Sequence, residues 1–421
     1  MTSTTEQHLS ARVVGSEVHA LEAQHIVQTY RRAPVVFVRG EGVRLYDSEG
    51  KEYLDLLSGI GVAAVGHGNP RLADALAEQA RTLAHTSNLY FHPLQGQVAA
   101  RLAALSGLPR AFFCNSGTEA VEACLKFARR YWYTAGTPRH EIVALEQGFA
   151  GRTLGSLSVT WDPHYRAPFE PLVPGVTFVP AGDEQALRAA VTKQTAAIIA
   201  EPIQGEGGVR PLSSAFAAVI TDVCTQTGAL LIADEVQCGL GRTGQPFYFQ
   251  VLGLRPDLVS VGKALGGGMP VGAALLSERV ASAVSYGDHG TTYGGNLLAC
   301  RAALVVLDAL TGTASTTSPA TLPNGGLLAH IQHLAPLVEA RLREIATRHP
   351  MVVDVRGAGL IWGVELDRDA APIVEAALAR GLLINRTAER VVRLLPSYII
   401  TEGEIDLALA RLDAALAEGQ H

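Results

Sequence analysis

The sequence predicts an α/β protein with a mainly parallel central sheet covered by helices. Short β-branched runs alternate with helical stretches from about residue 71 to about residue 310. Such alternation favours a parallel sheet, because each helix carries the chain back across one face of the sheet. The 421 residues exceed what one core holds, since single cores stop growing near about 250–300 residues. We therefore expect a large α/β domain and a smaller second domain.

The segment from residue 36 to residue 57 predicts a small antiparallel meander. Apolar and polar residues alternate there around turn pairs such as Glu-Gly, which is the pattern of strands joined by tight turns. We expect residues 1–70 to form the N-terminal segment of the smaller domain. Residues 71–310 are expected to form the large domain.

Five short apolar runs predict the strands of the large domain. Each run is bounded by turn residues or by a helical stretch. They are residues 142–145, 176–179, 196–200, 230–233 and 258–261. Ligands of such sheets gather beyond the carboxyl ends of the strands, so the functional site is expected at that edge.

The C-terminal part predicts the rest of the smaller domain. Residues 311–325 hold few apolar residues and many turn formers, so they are expected to form a flexible connection. Beyond it, residues 326–421 begin with an amphipathic helix at about 327–347 and continue with two strands about a glycine turn within 352–366. An alanine-rich helix closes the chain. The smaller α+β domain is therefore expected to be built from both chain ends.

Charge and composition exclude several functional classes. A net charge of −6 provides no broad attraction for nucleic acid or anionic membranes. No apolar run approaches the roughly 20 residues of a membrane helix. The histidines show no H-E-x-x-H motif and no paired Cys/His spacing, so no metal site is expected. Five cysteines without C-x-x-C spacing, and a start unlike a secretory signal, predict a cytoplasmic protein with reduced thiols.

One lysine and one aspartate indicate the chemistry of the site. Lys263 follows the strand predicted at 258–261 and opens a glycine run, while Asp234 ends the strand predicted at 230–233. A lysine at the mouth of a sheet can form a Schiff base with an aldehyde cofactor. An ionised aspartate can keep the cofactor's ring nitrogen protonated, so that the ring withdraws electrons. The pair therefore points to pyridoxal phosphate.

Candidate phosphate and carboxylate sites accompany this pair. Ser116 and Thr118 stand at the start of a predicted helix, where unpaired N–H groups and the helix dipole favour an anion. An ordinary N-cap explains the same residues. Phe149 and Arg152 follow a predicted strand. Phe149 could stack on one face of a planar cofactor, and Arg152 could bind a substrate carboxylate through two parallel hydrogen bonds.

Three further segments carry candidates with open alternatives. Arg393 lies in an apolar strand, where an arginine needs an anionic partner, either a substrate or a structural carboxylate. Glu206, in a glycine-rich turn after the strand at 196–200, suits pairing with an arginine. Thr291 and Thr292 offer adjacent hydroxyls for a phosphate or a carboxylate, and a polar turn explains them equally well.

In their order and spacing, these motifs resemble those of the class III aminotransferases, which are pyridoxal phosphate enzymes of fold type I. The resemblance runs from about residue 30 to the end and is closest to the acetylornithine aminotransferase group. It rests on the segments Asn115-Ser-Gly-Thr-Glu-Ala, Pro202-Ile-Gln-Gly-Glu-Gly-Gly-Val, Asp234-Glu-Val-Gln, Gly241-Arg-Thr-Gly, Gly290-Thr-Thr-Tyr-Gly-Gly-Asn, Leu382-Leu-Ile-Asn and Arg393-Leu-Leu-Pro.

Within this group, two segments look especially similar to a carrier-dependent branch. That branch aminates a semialdehyde held on an acidic amino-group carrier protein of the LysW type in lysine biosynthesis, and it can also handle arginine precursors. The segments are residues 148–163 and Gly66-His-Gly-Asn-Pro. Acetylornithine enzymes usually carry a histidine or another large residue before the Gly-Arg pair, whereas Ala150 is small.

The resemblance implies a role for each cofactor residue. Lys263 would be the Schiff base and proton shuttle, and Asp234 would be the partner of the ring nitrogen. Phe149 would stack on the ring, while Val236 and Gln237 would contact it.

The resemblance also implies that Gly117 and Thr118 hold the phosphate, with Ser116 among the cofactor residues. Thr292 would reach the phosphate from a neighbouring subunit. The catalytic unit would therefore be a homodimer with shared active sites.

For the substrate, the resemblance implies that Thr291 and Arg152 make contact, that Arg393 binds the carboxylate of 2-oxoglutarate or glutamate, and that Glu206 masks Arg393 in the other half-reaction. The implied ping-pong reaction moves the terminal amino group between an N-α-blocked lysine or ornithine and 2-oxoglutarate, in lysine or arginine biosynthesis. The alternatives are an ornithine or 4-aminobutyrate transaminase, or an amino-acid racemase, on the same fold. A pyridoxal phosphate binding protein without catalysis is disfavoured by the complete set of lysine, aspartate and arginines.

Overall fold

A computed structural model of the chain describes residues 15–313 and 325–419. Most of the connection predicted at 311–325 therefore lies outside the described residues, as does the start of the chain. No helix in the described ranges combines the length and the apolar composition that crossing a bilayer requires.

The strands of the described residues are, in chain order, β1 (Phe37–Glu41), β2 (Arg44–Asp47), β3 (Glu52–Asp55), β4 (Arg110–Cys114), β5 (Glu141–Leu145), β6 (Val176–Val179), β7 (Thr195–Ala200), β8 (Ile203–Gln204), β9 (Arg210–Pro211), β10 (Leu230–Asp234), β11 (Leu258–Val261), β12 (Gly272–Leu276), β13 (Val352–Ala358), β14 (Ile361–Leu366), β15 (Leu382–Leu383), β16 (Asn385–Thr387) and β17 (Val391–Leu394).

The α-helices of the same ranges are α1 (Gly15–His25), α2 (Ser58–Gly61), α3 (Pro70–Thr82), α4 (Gln95–Ser106), α5 (Gly117–Thr134), α6 (Leu154–Ser158), α7 (Pro163–Arg166), α8 (Glu184–Ala190), α9 (Ser214–Thr227), α10 (Tyr248–Val251), α11 (Glu278–Ala281), α12 (Leu297–Thr311), α13 (Gly326–Arg348), α14 (Ala371–Ala379) and α15 (Glu402–Glu418). Short 3-10 turns occur at Ala167–Phe169 and Lys263–Gly266.

The largest sheet of the described residues has seven strands in the order β4-β12-β11-β10-β7-β5-β6. Strands β11, β10, β7, β5 and β6 run parallel, while β12 is antiparallel to both of its neighbours. Every residue of β7, β10, β11 and β12 is buried, as expected for strands covered on both faces. The predicted α/β class is confirmed, and all five predicted strands occur with ends shifted by at most one residue.

The sequence pattern does not identify β4 and β12, the strands at one side of this sheet. The β12 segment reads Gly-Ala-Ala-Leu-Leu and lacks a β-branched residue. A short apolar run of this kind fits a buried helical turn as well as a strand. Its pairing with β11 and β4 decides the conformation.

Both chain ends contribute to one smaller sheet. Strands β1, β2 and β3 form the predicted antiparallel meander, and β15 pairs in parallel with β3. A second sheet, in the order β13-β14-β17-β16, contains the predicted hairpin and carries Arg393 in β17. This arrangement agrees with an α+β unit built from both ends. The numerical domain bounds stay predictions.

The topology brings one residue from each of five connections to the same edge of the large sheet. Since β12 is antiparallel to both β4 and β11, these two strands run in the same direction as the rest of the sheet. Their carboxyl ends therefore coincide. The residues that follow β4, β5, β7, β10 and β11 include Ser116, Phe149, Glu201, Val236 and Lys263.

Candidate active site

A cavity of about 270 Å³ at this edge gathers most of the predicted cofactor residues. Its walls combine backbone, aromatic, carboxylate and amine groups. The predicted residues among them are Ser116, Gly117, Thr118, Phe149, Arg152, Asp234, Val236, Gln237 and Lys263, and Ala150, Gly151 and Glu201 complete the lining. The predicted residues Glu206, Arg393, Thr291 and Thr292 lie outside this lining.

Lys263 lies two residues after the end of β11 and begins a 3-10 turn. Its φ of 40° lies in the left-handed region, which non-glycine residues rarely adopt and which is common at functional sites. Burial lowers the pKa of the Lys263 amine below its ordinary value, although the negative charges of Glu206 and Asp234 oppose this shift. A lowered pKa makes the neutral, nucleophilic amine more available near neutral pH.

Asp234 and Glu235 are adjacent in sequence, but their side chains have different environments. Asp234 lines the cavity and accepts a hydrogen bond from the N–H of Val236 at 3.1 Å. Glu235 instead accepts from the N–H of Phe249 at 2.6 Å. Burial raises the pKa of Asp234 to about 6, while the N–H of Val236 and the charge of Lys263 lower it. Asp234 is therefore mostly ionised at neutral pH, as a partner of a protonated ring nitrogen must be.

The start of α5 forms the candidate phosphate cradle. Ser116 is the N-cap of this 18-residue helix, and its hydroxyl accepts from the N–H of Glu119 at 3.3 Å. The first N–H groups of a helix have no carbonyl partner within it, so those of Gly117 and Thr118 suit an anion. A Cβ atom on Gly117 would lie 2.5 Å from Cγ1 of Val236, so glycine is what allows this close approach. The N-cap and the anion-site interpretations are thus compatible.

The donor set fits pyridoxal phosphate. Lys263 supplies an amine for the aldehyde, and Asp234 supplies a carboxylate for the ring nitrogen. Phe149 contributes an aromatic ring to the wall, and the turn at Gly117 leaves space and N–H donors for a phosphate. No single one of these features is specific, but the cavity combines all four.

Arg393 is fully buried and is held by three protein groups. One guanidinium nitrogen, Nη1, donates to Oε1 of Glu206 at 2.5 Å and to Oε1 of Gln237 at 3.2 Å, and Nε donates to Oδ1 of Asn385 at 3.2 Å. The other terminal nitrogen, Nη2, has no hydrogen-bond partner among the described residues. A buried donor without a partner costs free energy, so this arginine is suited to accept a further anion.

Glu206 is the counter-charge of Arg393. Burial favours its neutral form, but the charge and the hydrogen bond of Arg393, together with the charge of Lys263, outweigh burial and lower the pKa of Glu206. The two interpretations of Arg393, a structural ion pair and a substrate anchor, therefore apply to the same guanidinium. Glu206 satisfies one side of it and leaves Nη2 unsatisfied.

Arg152 lies on an exposed loop at the cavity wall. Its guanidinium carbon lies 3.7 Å from the ring centre of Tyr165 and 5.6 Å from that of Phe149. Its backbone N–H donates to the hydroxyl of Thr118 at 3.3 Å. The guanidinium thus packs on aromatic rings and keeps its hydrogen-bonding edge available for a carboxylate.

Thr291 and Thr292 do not reach the Lys263 cavity within one chain. The hydroxyl of Thr291 accepts from Asn115 at 3.4 Å and from the N–H of Gly294 at 3.1 Å, beside a neighbouring cavity. Thr292 is exposed. Their roles toward substrate and toward the phosphate of a second subunit stay predictions.

Glu201 is a residue of the cavity wall that the sequence reasoning did not single out. One of its carboxylate oxygens accepts from the N–H of Phe149 at 2.9 Å and the other from the N–H of Gly205 at 3.0 Å. Burial, reinforced by the charge of Asp234, raises the pKa of Glu201 to about 8. The sequence does contain a signal for Glu201. It directly follows an apolar strand, much as Asp234 stands at the end of another apolar strand.

Comparison with known proteins places this geometry among transaminases. The family model described as class-III aminotransferase matches residues 26–416. An acetylornithine aminotransferase of Methanocaldococcus jannaschii is 44% identical over 399 residues, which cover 94% of this chain and 97% of that protein.

Two solved structures illustrate the similarity of fold. The ornithine aminotransferase of Toxoplasma gondii has a TM-score of 0.89 at 30% identity, with 97% of this chain and 96% of that chain covered. An amine transaminase from an uncultivated Pseudomonas species, solved with pyridoxal phosphate bound, has a TM-score of 0.84 at 30% identity and covers 93% and 97%.

Proposed function

The chain belongs to the class-III aminotransferases and is a pyridoxal phosphate-dependent transaminase, and we propose that it moves the terminal amino group of an N-α-blocked ornithine or lysine to 2-oxoglutarate. The acetylornithine aminotransferase at 44% identity supports this substrate class. The reaction would belong to arginine or lysine biosynthesis and would run in the cell toward the amine.

The observation that carries the proposal is the pair of unlike arginines beside one amine. Arg393 is buried and neutralised by Glu206, whereas Arg152 is open at the cavity wall. A donor with one free carboxylate next to its blocked amine uses Arg152 and leaves the Arg393–Glu206 pair intact. 2-Oxoglutarate carries two carboxylates and suits both arginines at once, with the one next to its keto group on Arg393.

When bound, the cofactor supplies an aldehyde that condenses with amines and a ring that withdraws electrons from the neighbouring carbon. Lys263 would supply the amine that holds the aldehyde until the substrate amine displaces it. Its Nζ would then take the proton from the substrate carbon that bears nitrogen and deliver it to the cofactor carbon that had carried the aldehyde. Its lowered pKa favours the neutral form that can accept this proton. Asp234, ionised at neutral pH, keeps the ring nitrogen protonated.

Glu206 controls which substrate Arg393 accepts. While Glu206 pairs with Arg393, the guanidinium charge is neutralised and a donor without a second carboxylate meets no uncompensated cation. A carboxylate of 2-oxoglutarate replaces Glu206 and also satisfies Nη2 of Arg393. Since a buried charge must stay paired, the incoming carboxylate keeps the fully buried Arg393 compensated, while the released Glu206 has a side chain that is 36% exposed.

A carrier-linked lysine is the second candidate donor. The observation that favours it is Ala150, a small residue that lines the cavity between Phe149 and Arg152. The N–H of Ala150 donates to the hydroxyl of Thr160 at 3.0 Å, which fixes the loop, and the small buried side chain takes up little of the cavity beside Phe149. A donor attached to an acidic carrier protein would use this space for its linkage.

We also propose a homodimer with shared sites in the cytoplasm. Leu89, Tyr90 and Phe91 form a consecutive run of large exposed hydrophobic residues, with exposures of 84%, 72% and 106%. Apolar patches of this kind are typical of subunit interfaces. Thr292 is exposed, as a residue that serves a neighbouring subunit must be in the single chain. The cysteines of the described residues are free thiols, which suits a reducing compartment.

A substrate panel tests the proposal. Rates of amino transfer to 2-oxoglutarate are measured with N-acetylornithine, carrier-linked lysine, ornithine and 4-aminobutyrate. We expect kcat/KM for at least one blocked donor to exceed that for ornithine and 4-aminobutyrate by about a hundredfold, because the free α-amine of ornithine leaves a charge unpaired. Preference for ornithine or 4-aminobutyrate, or inversion of configuration without amino transfer, would contradict it.

A further inference from the structure

Glu122 lies outside the cavity and holds the loop that carries Arg152. It belongs to α5, one turn beyond Thr118. A single carboxylate oxygen, Oε1, accepts from the N–H of Gly155 at 2.9 Å, from the N–H of Ser156 at 3.0 Å and from the hydroxyl of Thr153 at 2.5 Å. All three donors stand at the start of α6.

This contact replaces the usual cap of a helix. Thr153, the N-cap residue of α6, makes no side-chain cap hydrogen bond to its own helix. Glu122 therefore caps α6 from another helix, with a negative charge at the favourable end of the helix dipole. A Cβ atom on Gly155 would lie 2.2 Å from Oε2 of Glu122, so the glycine is what lets the carboxylate approach the backbone.

Thr118 makes a second connection between the same two segments. Its hydroxyl lies 2.7 Å from the hydroxyl of Ser156 and 3.1 Å from that of Thr153, and it accepts from the N–H of Arg152 at 3.3 Å. Gly151 packs directly against this hydroxyl, where a Cβ atom would lie 2.1 Å away. The backbone of Arg152 is thus attached to the helix turn that forms the phosphate cradle.

We propose that Glu122 is a positioning residue for Arg152, which fixes the distance between the cofactor phosphate and the carboxylate of the amino donor. The inference rests on the proposed role of Arg152 as the clamp of that carboxylate. Without Glu122 the start of α6 loses three hydrogen bonds, and the hydrogen bonds between this loop and α5 that remain in the described residues are those of Thr118. The donor's α-carboxylate is the substrate group whose binding depends on this distance.

Two amino donors distinguish a loss of Arg152 positioning from a general loss of structure at the site. N-Acetylornithine carries the α-carboxylate, whereas N-acetyl-1,4-diaminobutane presents the same amine chain without it. In Glu122→Ala we expect kcat/KM for N-acetylornithine to fall at least about tenfold, because small displacements of a clamp are costly. The value for N-acetyl-1,4-diaminobutane should change less than about threefold.

The control variant is Asp183→Ala. Asp183 is also a carboxylate that caps a short helix, since it accepts from the N–H of Ala186 at 2.9 Å at the start of α8. We expect Asp183→Ala to lower the melting temperature and to leave kcat/KM unchanged with either substrate. The dissociation constant of pyridoxal phosphate from the apoenzyme, followed by absorbance, should stay within about threefold of wild type in both variants.

A double-mutant cycle gives the decisive readout. If Glu122 acts through Arg152, adding Glu122→Ala to Arg152→Ala lowers kcat/KM for N-acetylornithine no further. Glu122→Gln keeps one acceptor oxygen and should recover part of the loss, and it replaces Glu122→Ala if that variant does not fold.

Each outcome bears on one claim. An unchanged kcat/KM for N-acetylornithine in Arg152→Ala would contradict the proposed role of Arg152. A loss in Arg152→Ala together with an additive loss in the double variant would overturn the inference about Glu122 alone. An equal loss with both substrates would overturn it as well.

Discussion

Arg152 and Arg393 are the same residue type held in opposite ways. Arg393 lies in a strand, is fully buried and has its charge balanced by Glu206. Arg152 lies in an exposed loop, packs on Tyr165 and is positioned through its backbone. The buried arginine is preorganised and accepts one fixed group in exchange for Glu206. The exposed arginine suits donors whose chains differ.

The largest effect is expected from replacing Lys263, because both arginines serve substrates that react with the cofactor that Lys263 holds. In Lys263→Ala we expect amino transfer to fall by at least about 10³-fold, because the described lining of the cavity holds no second lysine that could bind the aldehyde or move the proton. Both half-reactions should fail together. The exposed Lys193→Ala serves as the control and should behave as wild type. If Lys263→Ala retained amino transfer, the reaction would not depend on Lys263, and the roles proposed for Arg152 and Arg393 beside it would lose their support.

The next largest effect separates the two arginines. Arg393→Ala leaves the carboxylate of Glu206 without its partner, so the pKa of Glu206 rises. We expect the half-reaction with 2-oxoglutarate to slow by about a hundredfold or more, and the free energy of unfolding to fall by about 2–5 kcal/mol. Adding Glu206→Gln should recover part of this stability, as measured by urea unfolding. A stability loss that Glu206→Gln does not reduce would argue against the ion pair as its cause.

A smaller effect is expected at the exposed arginine. Arg152→Ala should lower kcat/KM about 10- to 100-fold with N-acetylornithine, because the donor carboxylate loses a charged clamp. The reaction with 2-oxoglutarate should also slow, since its second carboxylate uses the same arginine. Stability should change by less than about 0.5 kcal/mol, as for most exposed positions. Arg188→Ala, an exposed arginine of α8, is the control.

The smallest effect concerns Glu201, which connects the two sides of the site. Its carboxylate bonds the N–H of Phe149 on the Arg152 side and the N–H of Gly205 next to Glu206. The folded-state pKa of about 8 lies above that of the unfolded chain, so the fold favours the protonated form. This contribution is complete below the unfolded pKa and is lost as pH rises through about 8.

Urea unfolding of the apoenzyme at pH 6 and pH 9 measures this contribution. We expect Glu201→Gln to be less destabilising at pH 9 than at pH 6 by about 1 kcal/mol or more, since the variant has no proton to lose. Groups that do not interact with Glu201 titrate in both proteins and cancel in the difference, so the remaining pH dependence reports Glu201 together with the charge of Asp234 that acts on it. A difference independent of pH would show that Glu201 is already ionised at pH 6.

The sequence predicts the parts of the site that follow from local pattern. Buried parallel strands appear as continuous apolar runs, and the residues after them, Asp234 and Lys263, mark the edge where ligands gather. The partner of Arg393 is 187 residues away, so a local pattern shows only that an anion is needed. The glycine-rich turn after the strand at 196–200 made Glu206 a candidate partner for an arginine, and the family resemblance paired it with Arg393.

The remaining features depend on contacts that no local pattern contains. Glu122 caps a helix that begins more than 30 residues later, and in sequence it is one more polar residue on an amphipathic helix. The hydroxyl of Thr118 turns toward Ser156, which leaves its backbone N–H as the donor for a phosphate. Strand β12 is recognisable only by its pairing, since its composition suits a helix equally well.

The most direct test of the two-arginine account measures each half-reaction separately. Rapid mixing follows the cofactor absorbance after N-acetylornithine is added to the aldehyde form, or after 2-oxoglutarate is added to the aminated form. We predict that Arg393→Ala slows only the 2-oxoglutarate half-reaction, by about a hundredfold, and that Arg152→Ala slows both. Equal slowing of both half-reactions by Arg393→Ala, or of neither, would contradict the account.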